Sequence, residues 1–278
     1  MAEQFGPLVS PTWLRAHLQD PGLRVLDTRY YLDGRDARQA FEAGHIPGAT
    51  YVDVERDLTG RSGPGRHPLP TASEFQESMR RIALDDGHRV VAYDDTFPAA
   101  RLRWLLRHYG HEQVALLDGG LRAWDGELQR GRSAHRAPGN FTARQREDVA
   151  VAEYAEVRRA GPGVLLLDAR PTDRYVGLVA NHDPQAGHIP GARSAPWAET
   201  GLDATGRFLP RGEIRRRLTA VGVMDASEVI AYCGSGVQAC HLLFAMELAG
   251  FEGGRLYVGS WSEWSRRPEA PIKTGPEP

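Results

Sequence analysis

Cysteine is scarce: Cys233 and Cys240 are the only two in 278 residues, which rules out a disulfide framework. Long apolar runs are missing too. Val164–Leu167 and Leu242–Met246 fall far short of the roughly 20 residues that span a bilayer. Neither sign of charge prevails, with 34 Lys+Arg against 36 Asp+Glu and a net charge of −2. That balance leaves no electrostatic footprint for nucleic acid or an anionic membrane. The first residues, including Glu3 and Gln4, lack the apolar centre of a signal peptide. No Cys/His cluster has metal-ligand spacing. The expectation is a soluble, cytoplasmic protein that needs neither metal nor organic cofactor and binds neither nucleic acid nor membrane.

What the chain does have is a long internal repeat. Leu23–Arg29 (LRVLDTR) returns as Val164–Arg170 (VLLLDAR), Ala43–Ala49 (AGHIPGA) as Ala186–Ala192, Val90–Tyr93 as Val229–Tyr232, and Asp118–Trp124 as Val258–Trp264. The offsets lie between 139 and 143 residues, far beyond a solenoid unit of about 20–50 residues. One domain has been used twice. Periodic patterning fails from Gly126 to Asp148, so residues 1–128 and 148–278 are read as the domains and 129–147 as the linker. Within each half, apolar runs (Leu23–Asp27, Val90–Tyr93, Val114–Leu117; Val164–Asp168, Val229–Cys233, Arg255–Val258) alternate with helical patterns (Ala72–Arg81, Ala99–Tyr109; Gly212–Val221, Val237–Ala249). Ser10 reads as the N-cap of an opening helix over Pro11–Leu18, which Val149–Arg159 resembles. The fold class is α/β: two tandem domains, each a mainly parallel sheet flanked by helices.

Ligands of such sheets bind beyond the carboxyl ends of the strands, and there the halves differ. After Tyr232 comes Cys233-Gly234-Ser235-Gly236-Val237-Gln238, leading into a helix that Gly250 should close. After Tyr93 the chain reads Asp94-Asp95-Thr96-Phe97-Pro98. Glycines permit tight turns and close ligand approach. Inward amides and a helix N-terminus make an anion cradle, where a cysteine is favoured as its thiolate nucleophile. Such a cysteine must not be sealed in hydrocarbon with no open path to solvent. Asp94 would repel an anion, so the first domain is expected to be catalytically silent.

The paired repeats, the two His-Ile-Pro-Gly segments, the Cys-Gly-Ser-Gly-Val loop and Gly259-Ser260-Trp261-Ser262-Glu263-Trp264 resemble two-domain rhodanese-type sulfurtransferases. The resemblance implies tandem rhodanese-like domains and transfer of a sulfane sulfur from 3-mercaptopyruvate or thiosulfate, through a Cys233 persulfide, to a thiol, thioredoxin or cyanide. It makes Cys233 and Ser235 catalytic. Arg174, Gly234, Gly236, Val237 and Gln238 would bind the donor. The loop has no basic residue, which is similar to the 3-mercaptopyruvate type. The family's second arginine, ahead of Gly-His-Ile-Pro-Gly, has no counterpart in Asn181–Gln185. Asp36 and His45 are the nearest matches to a first-half Asp and His that assist the loop serine, although the equivalence of His45 with His188 favours a structural role for both.

Two other readings stand beside this one. A non-enzymatic persulfide carrier would share the loop. A phosphatase would place arginine six residues after the cysteine, where Ala239 stands. Cys240 and His241 read as helix packing, Trp197, Trp261 and Trp264 as packing between elements, Arg211, Arg215, Arg216 and Arg217 as a solvated helix face, and Arg61 and Arg66 as exposed loop arginines.

Overall fold

The computed structural model describes residues 4–146, 151–225 and 228–278. The chain divides into two compact units. One comprises residues 1–60, 70–146 and 204–207; the other comprises 61–69, 147–203 and 208–278. Residues 61–69 therefore pack with the second unit although they lie within the first repeat.

The first unit holds β1 (Leu8–Val9), β2 (Leu23–Asp27), β3 (Thr50–Tyr51), β4 (Arg89–Tyr93) and β5 (Val114–Leu117). They form one sheet in the order β1-β5-β4-β2-β3 with every pairing parallel. The central strands β2 and β4 are mostly apolar, with buried Leu23, Val25, Leu26, Val90, Val91 and Ala92, as a parallel sheet covered on both faces requires. Several of these helices begin where side chains satisfy their free amides. Ser10 caps Pro11–His17 by accepting from Trp13 N, and Thr71 with Glu74 forms a capping box on Ala72–Arg81.

The second unit repeats the plan. β6 (Val151–Ala152), β7 (Val164–Asp168), β8 (Arg193–Ser194), β9 (Glu228–Tyr232) and β10 (Arg255–Tyr257) give the order β6-β10-β9-β7-β8, again all parallel. The helix Gln238–Ala249 follows the central strand β9 and ends at Gly250 in the left-handed conformation. Of the second opening helix, Tyr154–Val157 is helical, while Val149 and the domain junction at 147–148 lie outside the described residues. Strand β9 stops at Tyr232, one residue before the expected end, which leaves Cys233 on the loop.

The repeated motifs hold the same joints in both units. Asp27 binds Arg29 and Asp168 binds Arg170 through buried bidentate pairs, and each arginine reaches a backbone carbonyl, Gly44 O at 2.9 Å or Gly187 O at 2.7 Å. In each His-Ile-Pro-Gly segment the isoleucine N–H donates to the tyrosine ending the central strand: Ile46 to Tyr93 Oη, Ile189 to Tyr232 Oη. His45 stacks on Phe41 with Nδ1 against Phe41 O, and His188 stacks on Tyr175 with Nδ1 against Tyr175 O. Both imidazoles are fully buried joints of their own units.

Candidate active site

The sheet of the second unit aims Cys233. Tyr232 O accepts from Ala169 N beyond β7, and Cys233 N donates to Ser260 Oγ at 3.2 Å beyond β10. Cys233 O and Gly234 O in turn accept from Trp261 N and Ser262 N, both at 2.9 Å. Three neighbouring strand ends thus fix the first two residues of the loop. The helix Gln238–Ala249 begins five residues later and directs its N-terminus back toward them.

The two loop glycines are needed for different reasons. Gly236 has φ of +77°, a conformation costly to any residue with a Cβ. Gly234 provides space: a Cβ there would stand 3.0 Å from Arg66 Nη2 and 3.2 and 3.3 Å from the Arg174 amino nitrogens. Two guanidinium groups therefore face the backbone beside Cys233.

Cys233 is only 1% exposed, yet its surroundings are not hydrocarbon. Arg174 lies in the first turn after Pro171, 8% exposed, with Nη2 at 2.8 Å from Asp183 Oδ2. Its guanidinium is pushed below its ordinary value, first by burial and then by Arg170, while Asp183 and the Cys233 sulfur oppose the shift. Asp183 Oδ1 is ion-paired with Arg66 Nη1, so one buried carboxylate holds both arginines. Arg66 is accordingly not the exposed loop residue expected from the Gly-rich segment. Its amide donates to Ser262 Oγ at 3.0 Å and its side chain is 26% exposed. For Arg66 the solvated reading fails because its amide is docked onto the helix Ser260–Trp264 that follows β10 and its side chain onto Asp183, whereas Arg61 is exposed as expected.

That segment also delivers an imidazole. Ser235 Oγ lies 2.7 Å from His67 Nδ1, with both residues buried. His67 carries no periodic or repeat signal in the sequence; the one pointer to it is that it directly follows the Gly-rich segment Gly60–Arg66. The candidates named instead do other work. His45 is a core joint, and Asp36 caps the helix Ala37–Ala43 by accepting from Gln39 N at 3.0 Å. Val237 is buried at the helix entrance and Gln238 opens the helix.

The equivalent loop of the first unit is filled by its own side chain. Asp94 Oδ1 accepts from Thr96 N at 3.1 Å and Oδ2 from Ala99 N at 2.6 Å. Burial pushes its carboxyl up to about 7 against these bonds. An anion arriving there would find the amides taken.

The rhodanese-like domain family matches residues 10–127 and 151–267, most of the chain. The chain belongs to the rhodanese family. Among its relatives is a Pseudomonas aeruginosa protein named as a probable 3-mercaptopyruvate sulfurtransferase, 43% identical over 96% of this chain and 98% of the relative. A Mycobacterium tuberculosis protein, SseB, named for thiosulfate sulfurtransferase, is 38% identical over 92% of each. The crystal structure of SseA from Escherichia coli, described as a 3-mercaptopyruvate enzyme, superposes with a TM-score of 0.83 at 32% identity, covering 92% of this chain and 99% of SseA. The tandem rhodanese fold that the resemblance implies is thus the fold of the chain. Among the described residues no group of acidic, His and Cys side chains could hold a metal, and no helix is long and apolar enough to cross a membrane. Cys240 Sγ donates at 3.2 Å from the helix back to Gly236 O on the loop. Arg215 pairs with Asp225, and Arg216 and Arg217 with Glu213.

Proposed function

We propose that this protein is a sulfurtransferase that takes the sulfur of 3-mercaptopyruvate, with thiosulfate as the poorer donor, and passes it to a thiol or to cyanide through a persulfide on Cys233. Residues 148–278, completed by the 61–69 segment, carry the chemistry; residues 1–128 are otherwise the silent domain, its loop occupied by Asp94. The observation that carries the reading is the Ser235–His67 pair on the loop of a buried cysteine. Thiosulfate has no carbonyl for such a pair to act on, whereas 3-mercaptopyruvate does.

The Cys233 thiolate attacks the donor sulfur. The carbon–sulfur bond breaks, and its electron pair moves into the pyruvate enolate. Ser235 donates to the developing oxyanion, and His67 hands a proton through Ser235 to the product. Loop amides at the helix N-terminus and the Arg174 guanidinium stabilise the anionic donor. Gly234, Gly236, Val237 and Gln238 shape the cradle. An acceptor thiolate then attacks the outer persulfide sulfur and releases Cys233 as thiolate, a two-step covalent cycle. Thioredoxin is the protein acceptor we assign. The compartment we assign is the cytoplasm, where such thiols stay reduced.

Mass spectrometry after 3-mercaptopyruvate treatment should find one extra sulfur on the peptide holding Cys233, and Cys233→Ser should abolish turnover. Full activity in that variant would reject the reading. With cyanide as acceptor, 3-mercaptopyruvate should exceed thiosulfate in kcat/KM. The reverse order would overturn the donor assignment alone.

A further inference from the structure

A donor carboxylate needs a net positive site, and the pairing around Asp183 shows which residue provides it. Arg170 is committed to Asp168 and to Gly187 O. Arg174 is bound by Asp183, so these two alone sum to zero charge. Asp183 has no exposed side-chain surface, which keeps its charge unscreened by water. Arg66 adds the second positive charge to the same carboxylate and leaves the trio at +1. Two further observations mark the trio as unfilled by the protein itself. Arg174 Nε is buried and, among the described residues, has no hydrogen-bond partner. Both guanidinium groups also border the open Cα face of Gly234, next to the nucleophile. Arg174 lies deep, and Arg66 is the most exposed member of the group.

We propose that Arg66, carried by the 61–69 segment, is the second donor-binding arginine of this enzyme and, with Arg174, clasps the carboxylate of 3-mercaptopyruvate. The usual second arginine is missing from Asn181–Gln185. Asp183 of that stretch instead recruits an arginine from a different part of the chain. The inference rests on the sulfurtransferase reading, and the following experiment separates the two.

Steady-state kinetics would compare wild type, Arg66→Met and Arg66→Lys with 3-mercaptopyruvate and with mercaptoacetone, the same thiol ketone without the carboxylate. Pyruvate affinity would be measured by calorimetry on the same three proteins. The segment is anchored by the Arg66 amide on Ser262 Oγ, so replacing the side chain leaves its main attachment intact. Loss of a charge-assisted, forked hydrogen bond should raise KM for 3-mercaptopyruvate about 10- to 100-fold, with the smaller share of the loss in kcat. Arg66→Lys should fall between, because it keeps the charge but not the fork. The mercaptoacetone KM should move far less, and pyruvate should bind about 10-fold more weakly to Arg66→Met. Equal losses with both donors, or unchanged KM and pyruvate affinity, would overturn the assignment while the sulfurtransferase reading stands. If wild type turns over neither donor, the function is wrong, and pyruvate affinity still decides the role of Arg66.

Discussion

Ser235 and His67 meet through one 2.7 Å hydrogen bond, so their effects should not add. Ser235→Ala and His67→Gln are each expected to lower kcat with 3-mercaptopyruvate by about 10²-fold or more, and the double variant should be little worse than either single one. Multiplying losses would show that the two side chains act separately. Cys233 and Asp94 make the complementary comparison. They occupy the same position of the repeat, but Asp94 folds its own carboxyl onto Thr96 N and Ala99 N, which a cysteine does not do. The difference between the two loops was legible in the residue type, and the structure adds to the expected repulsion that the first loop's amides at Thr96 and Ala99 are already engaged.

At the scale of elements, the strand–loop–helix from Glu228 to Ala249 is where sequence and structure agree most closely. An apolar strand, two glycines and a helix with a Gly terminator each leave a local signature. The two-residue edge strands β1, β3, β6 and β8 leave none, because so short a pairing shows no alternation and exists only through its neighbour. The two loop glycines can be told apart by substitution. Gly236→Ala forces a Cβ into φ of +77° and should cost about 1 kcal/mol of stability, read as a lower denaturation midpoint. Gly234→Ala meets only the flexible ends of Arg66 and Arg174. It should leave stability nearly unchanged while raising the KM for 3-mercaptopyruvate several-fold. A large stability loss there would mean that the guanidinium groups cannot give way.

Across the whole molecule, two titrating groups give the two units opposite responses to pH. Asp94 is raised from 3.8 to about 7, so its contribution to the first unit is fully present below about pH 4 and is lost as pH climbs toward 7. His241 is fully within the packing of the second unit, stacked on Phe208 and edge-on to Trp197, and burial lowers it from 6.5 to about 3. Its contribution is present above about pH 6.5 and is lost as pH falls toward 3. Hydrogen exchange should therefore show protection in the Asp94 loop declining from pH 5 to 7 and protection around His241 rising over the same range. Asp94→Asn and His241→Phe should each flatten their own trend. By itself, the sequence determined the duplication, the parallel α/β plan and the family, and it marked the loop at Cys233, because these reside in contiguous residues with local periodicity or a repeat to compare against. Only the tertiary structure decided that Arg66 and His67 belong with Cys233. Their partners Asp183 and Ser235 lie 117 and 168 residues further along the chain, and a contact across that distance is made by packing, which leaves no mark on the segment itself.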